Sequence, residues 1–194
     1  FQLKSKKIAN ILVDYSTISD YTYFKRDTTG IPADEFIPIK PFQNNKTISY
    51  LRVKLDKEIK VGKLALHNTI LYQNTQDENK VLNVPQLTLR NTLYYSSHLF
   101  DKAMYLQTGV IFNYFTKYNM NSYDPLLAEF YVQTNEEYGS YPRLDFFVNA
   151  KIRQTRIYLK AEHFNSSFTG YNFFAAPNNP YRDFTVRFGI VWNF

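Results

Sequence analysis

The chain contains no cysteine, which excludes disulfide frameworks, thiolate metal sites and cysteine nucleophiles. Only 6 Gly and 8 Pro punctuate its 194 residues, too few for a collagen-like repeat. A hydrophobic content of 44% argues against a disordered chain. No stretch approaches the roughly 18 consecutive apolar residues that a transmembrane helix requires. No basic run is longer than Lys6-Lys7, so a net charge of +6 and a pI near 9.3 point only weakly to nucleic acid. Phe1-Gln2-Leu3-Lys4 is followed by no apolar h-region or cleavage site, so it is not a signal peptide. A first residue other than Met is expected of a chain whose signal has been removed or that belongs to a longer polypeptide. Solenoid repeats and low-complexity tracts are missing as well. What the chain does have is aromatic residues: 17 Tyr, 17 Phe and 1 Trp, in a sequence whose mean hydropathy is −0.41.

Alternation organises these residues. Helical periodicity fails almost everywhere, whereas period two holds over long stretches. Phe184, Val186, Phe188, Ile190, Trp192 and Phe194 fall on one face, opposite Asp183, Thr185, Arg187, Gly189, Val191 and Asn193. Leu144, Phe146, Val148, Ala150 and Ile152 oppose Arg143, Asp145, Asn149, Lys151 and Arg153. Ile157, Leu159 and Ala161 oppose Arg156, Tyr158, Lys160 and Glu162, and Leu51, Val53 and Leu55 oppose Arg52, Lys54 and Asp56. The same pattern groups Met104, Leu106, Val110, Phe112 and Tyr114; Leu87, Leu89, Leu93, Tyr95 and Leu99; and Leu64, Leu66, Ile70 and Tyr72. A first long strand near residues 8–24 would place Ala9, Ile11, Val13, Tyr15, Tyr21 and Tyr23 together. The pattern predicts about eight strands of roughly 10 to 16 residues.

Length and charge decide the kind of all-β fold. Strands of a soluble sandwich run about 5 to 6 residues, whereas crossing a bilayer at a tilt takes about 9 to 11. A face carrying Arg, Lys, Asp and Glu cannot form the core of a sandwich, but it can line a wet lumen. The expected fold is therefore a transmembrane antiparallel up-and-down β-barrel. Tight turns at Val61-Gly62-Lys63, Phe100-Asp101-Lys102 and Arg153-Gln154-Thr155 alternate with long links near 25–45, 77–83, 118–142 and 166–182. Short periplasmic turns and longer external loops are the pattern of bacterial barrels. Residues 126–133 also alternate, but a full extra span there would reverse the sidedness of every connection. They are read as the external part of one passage that re-enters at Arg143. Tyr15, Tyr21, Tyr23, Tyr72, Tyr95, Tyr114 and Trp192 sit on lipid-side registers and are expected to form interfacial girdles.

Arg187-Phe188-Gly189-Ile190-Val191-Trp192-Asn193-Phe194 reads polar, x, Gly, x, x, aromatic, x, aromatic. It resembles the β-signal that outer-membrane barrel proteins present to the barrel assembly machinery. The expected assembly residues are Arg187, Gly189, Trp192 and Phe194. Pairing through an unpaired strand edge, with alternate aromatics filling pockets, is the physical logic of such recognition.

Residues 141–152 (YPRLDFFVNAKI), 156–163 (RIYLKAEH), 177–184 (PNNPYRDF), the terminal octapeptide and Phe130-Tyr131-Val132-Gln133 resemble the putative β-barrel porins of the Bacteroidota outer membrane. The resemblance is good over residues 126–194 and a matter of pattern before that. It implies that residues 1–194 are the C-terminal portion of a larger outer-membrane barrel, ending in strand 183–194. Phe1-Gln2-Leu3 would then be the tail of a preceding strand and Lys4-Ser5-Lys6-Lys7 a periplasmic turn. A complete eight-stranded barrel is the alternative, and its interior would be filled by side chains.

No catalytic, cofactor or metal motif is recognisable. His67, His98 and His163 lack ligand spacing. Ser97 and His98 are adjacent strand residues on opposite faces and cannot act as nucleophile and base. Ser96 shares a face with His98 but lacks an orienting third group. The remaining constellation is the set of lumen registers: Arg52, Lys54, Arg90, Lys151, Arg153, Arg156, Lys160 and Arg187, with Asp14, Asp20, Asp56, Asp145, Glu162 and Asp183. These form either an anion-favouring pore wall or cross-strand ion pairs that stiffen the wall. Basic residues near the tight turns could also meet anionic head groups. The expected function is a non-enzymatic porin that passes small hydrophilic solutes, with outer-membrane lipids and the assembly machinery as partners. Alternatives are a non-conducting scaffold within an outer-membrane protein complex, or the C-terminal part of a TonB-dependent transporter.

Overall fold

The structure, a computed structural model, describes residues 1–5, 7–30, 32, 35–168 and 173–192. In chain order the first strands are β1 (Gln2–Lys4), β2 (Asn10–Ile18), β3 (Thr22–Arg26), β4 (Ile39–Gln43) and β5 (Ile48–Val61). Next come β6 (Leu64–Gln76), β7 (Leu87–Leu99), β8 (Met104–Phe115), β9 (Ser122–Asp124) and β10 (Glu129–Val132). The last are β11 (Arg143–Ile152), β12 (Thr155–Glu162), β13 (Phe174–Ala176), β14 (Asn179–Pro180) and β15 (Thr185–Trp192).

The chain is all-β. Nine strands form one antiparallel sheet in the order β1-β2-β5-β6-β7-β8-β11-β12-β15. Directly paired residues share a face, so the register extends each strand's alternation into rows across the sheet. One row reads Ile59, Leu66, Leu93, Val110, Phe146, Ala161, Val186. The adjacent row on the other face reads Glu58, His67, Thr92, Ile111, Asp145. The apolar face is exposed: Phe188 is 79%, Ile190 66% and Trp192 64% accessible. The buried cluster, Ile48, Val81 and Val132 with Ile18, Tyr21, Tyr23 and Leu82 packed on it, sits instead where the long links meet the sheet.

The long strands arise as expected, with β5 to β8 spanning 12 to 14 residues, while β12 and β15 reach only 8. The tight turns form where left-handed backbone is used: Gly62 has φ 61°, Phe100, Asp101 and Lys102 have φ 53°, 48° and 69°, and Arg153 has φ 53°. β1 pairs with β2, so Gln2 and Leu3 lie in a strand. Lys4 belongs to the strand rather than the turn, and Lys6 lies outside the described residues.

Two expectations need correction. The first long strand does not continue to residue 24. Asp20 takes a left-handed backbone (φ 58°) and breaks it, because Tyr21 turns away to accept a hydrogen bond from the Asn44 N–H at 2.8 Å. Tyr21 and Tyr23 therefore leave the apolar face. Tyr21 packs on Ile48, and Tyr23 also stacks on Phe42 at 6.0 Å. Residues 126–133 add no strand to the nine-stranded sheet, but rather than running on into the passage that re-enters at Arg143 they hold a short strand of their own, β10. It lies parallel to β3 in a separate sheet ordered β4-β3-β10-β9. The chain reverses into it through Ala128 (φ 54°), where the Asp124 carboxylate accepts the Leu126 and Leu127 N–H groups.

The charged face as candidate functional site

The charged face is concave. A cavity of about 420 Å³ on it is lined from separate strands by Glu58, His67, Arg90, Gln107, Asn149 and Lys160. Alternation alone sends these side chains to one side, and the coiling of the sheet brings them towards one another.

Cross-strand ion pairs account for part of the set. Arg52 lies opposite Asp14 and reaches it at 3.2 Å. Lys160 bridges Asp145 at 3.2 Å and Glu162 at 2.9 Å, and Arg187 reaches the other oxygen of Glu162 at 3.0 Å. Asp145, only 3% exposed, also accepts the His163 N–H at 2.9 Å and has Arg143 at 3.9 Å. On β5, Asp56 accepts from Thr69 at 2.9 Å and meets His67 at 3.0 Å. Glu58 accepts from Tyr94 and pairs with Lys60 at 2.9 Å. Lys54, Arg90, Lys151, Arg153 and Arg156 have no carboxylate within 4 Å among the described residues. Asp20 and Asp183, expected on this face, belong instead to connecting segments outside the sheet.

The histidines go separate ways. His67 serves Asp56, and His98 leans on Tyr105 at 5.0 Å. His163 is 1% exposed, wedged between Phe173 (4.4 Å) and Tyr181 (5.7 Å), with Nδ1 at 2.8 Å from the Arg182 carbonyl. The alternating pattern that ends at Glu162 gives no sign of this burial. The aromatics that bury it come from residues 173–181, a segment without strand periodicity. Among the described residues no three metal-binding side chains converge. Ser97 donates to the His98 carbonyl at 3.2 Å from the opposite face, as alternation demands.

At the loop end sequence reasoning missed a second cavity, also about 420 Å³, lined by Lys25, Arg26, Tyr131, Gln133, Asn135 and Asn178. Arg26 lies over the Tyr131 ring at 5.3 Å. The parallel β3–β10 pairing that builds it joins segments far apart in the chain, which periodicity cannot reveal. Across β3 and β4, Lys40 donates to Asp27 at 2.8 Å, and this bond holds the partly covered carboxyl down at about 2. Burial pushes the phenols of Tyr118 and Tyr141 up.

Of the terminal residues, Arg187 and Gly189 lie on the charged face and Trp192 on the apolar one. Phe194 lies outside the described residues. A Cβ at Gly189 would sit 2.5 Å from the Tyr158 ring, which covers the glycine from the neighbouring strand.

No curated protein and no solved structure matches the chain. A family model described as "Putative porin" matches residues 1–194, from end to end. An all-β chain with one charged and one exposed apolar sheet face agrees with that match, and the chain belongs to the putative porin family.

Proposed function

We propose that the chain is part of a transmembrane β-barrel of the bacterial outer membrane through which small hydrophilic solutes diffuse passively. The observation that carries this reading is the two-faced sheet. Rows of Leu, Ile, Val and Phe stand exposed on one side while ion-paired rows occupy the concave side directly behind them. In water such an apolar wall would be an aggregation surface; in a bilayer it is the lipid contact. Tyr15, Tyr72, Tyr95, Tyr114 and Trp192 then sit where aromatic girdles belong.

In this reading the nine-stranded sheet is one part of the barrel wall. Further strands of the same polypeptide would close the ladder, as the likeness to porins of the Bacteroidota implies. Solutes are then sorted by pore width and wall charge, and no residue performs catalysis. The test is conductance of purified full-length protein in planar bilayers. Discrete single-channel conductance steps are expected, and their absence at high protein load would favour the non-conducting scaffold.

The terminal octapeptide, residues 187–194, supplies the assembly signal through Arg187, Gly189, Trp192 and Phe194. Replacing Trp192 and Phe194 by Ser is expected to cut assembled barrel in the outer membrane severalfold, read by immunoblot of membrane fractions. Wild-type levels under native expression would remove this role.

A further inference from the structure

Lys151 and Arg156 lie directly opposite each other on β11 and β12, both on the charged face. Like charges placed so are destabilising, and among the described residues neither has a carboxylate within 4 Å. The neighbours in the row are Tyr105 and Val191, and Arg153 caps the same hairpin at φ 53°. All three cations are exposed and have no ion pair among the described residues. The adjacent turn contributes Asp101 and Lys102, which cancel.

Higher on the same strands the arrangement is the reverse. Lys160 and Arg187 are each tied to carboxylates, by Asp145 and Glu162. The row between the two zones, Ser96, Gln107, Asn149, Tyr158 and Gly189, carries no charge. Across β11, β12 and β15 the wall is therefore graded: ion-paired towards the loops, and at the β11–β12 turn triply positive with no ion pair among the described residues.

We propose that Lys151, Arg153 and Arg156 form an anion filter at the turn-side mouth of the lumen, an inference that rests on the porin reading above. Small oxyanions and carboxylates are the solutes it favours. Three solvated cations raise the local concentration of anions and exclude cations over about a Debye length, near 10 Å at 0.1 M salt. Because the charge sits at one end of the channel, current through it rectifies. The repulsion between Lys151 and Arg156 is the structural cost of that field.

The experiment uses full-length protein in planar bilayers under a KCl gradient. Wild-type channels should prefer chloride and pass unequal currents at opposite voltages. The variant Lys151→Gln/Arg153→Gln/Arg156→Gln should lose both, with the anion-to-cation permeability ratio falling about fivefold at 0.1 M salt. Lys151→Glu, which hands Arg156 a partner, should also reduce anion preference while raising the Tm of the folded barrel. Channels whose selectivity these changes leave untouched would overturn the filter alone. A Tm lowered by the neutral variant would show a structural role for the cations, and would overturn it too. Wild-type protein that forms no channels would overturn the porin reading, and the filter with it.

Discussion

Replacing Gly109 by alanine is expected to prevent assembly of the sheet, leaving less than about a tenth of the wild-type amount folded. Gly109 pairs with Tyr94 on β7 and Phe147 on β11. A Cβ there would lie 2.2 Å from the Leu93 carbonyl oxygen and 2.7 Å from the Tyr94 Cα. Both obstacles are backbone, so no rotamer change relieves them; the β7–β8 ladder itself would have to part. Overpacking in a well-packed interior costs about 1 to 3 kcal/mol, and a clash with main chain belongs at or above the top of that range. Gly189 provides the contrast. The atoms that would meet its Cβ belong to the Tyr158 ring, which can swing aside into the concave face. Gly189→Ala should therefore cost less than Gly109→Ala, and Tyr158→Ala in the same chain should recover most of the loss. The readout is the folded fraction in membranes, measured by resistance to unfolding in detergent. Equal folding of wild type and Gly109→Ala would mean that the two strands do not approach as closely as the register requires.

These glycines show what a sequence discloses and what it withholds. Period two is a local property, imposed by the backbone on every strand, so the rows of Leu51, Val53 and Leu55 or Phe188, Ile190 and Trp192 could be read directly. The tight turns were equally legible, because each falls where alternation stops for only a few residues. The break at Asp20 was not. Tyr21 and Tyr23 keep the strand rhythm of Tyr15, and only the pull of Ile48 and Asn44, distant in sequence, takes them out of the sheet. Likewise β10 alternates like a membrane strand but is stopped at four residues by its partners β3 and β9.

For the candidate site the sequence identified which face the charges occupy but not which charges cancel. Arg52, Lys160 and Arg187 look no different from Lys151, Arg153 and Arg156 in a register list. What separates them is the row each one faces, and rows appear only when the strand registers are joined. Lys160 meets Glu162 two residues along its own strand and Asp145 on the neighbouring strand; Arg156 meets Lys151.

The most consequential of the compensated charges is Asp145. Its carboxylate takes three groups from three different segments: the Lys160 ammonium on β12, the His163 N–H just beyond it and the more distant Arg143 guanidinium on its own strand. Asp145→Ala leaves all three without that acceptor in a position that is 3% exposed. Removing one partner of a buried pair costs about 3 to 5 kcal/mol. Lys160 retains Glu162 and is about a third exposed, so the expected loss is nearer 2 to 3 kcal/mol. Asp145→Asn keeps an acceptor for the His163 N–H and should cost about half as much. Urea titration of the folded protein in liposomes measures both. The damage should also be felt beyond the sheet, because His163 holds the Arg182 carbonyl through Nδ1 and packs on Phe173. Protease cleavage between residues 173 and 183 should accelerate in Asp145→Ala before the strands themselves open. If stability changes by less than about 0.5 kcal/mol, water has taken the place of the lost carboxylate, and the site is as wet as the rest of the wall rather than the joint between wall and loops.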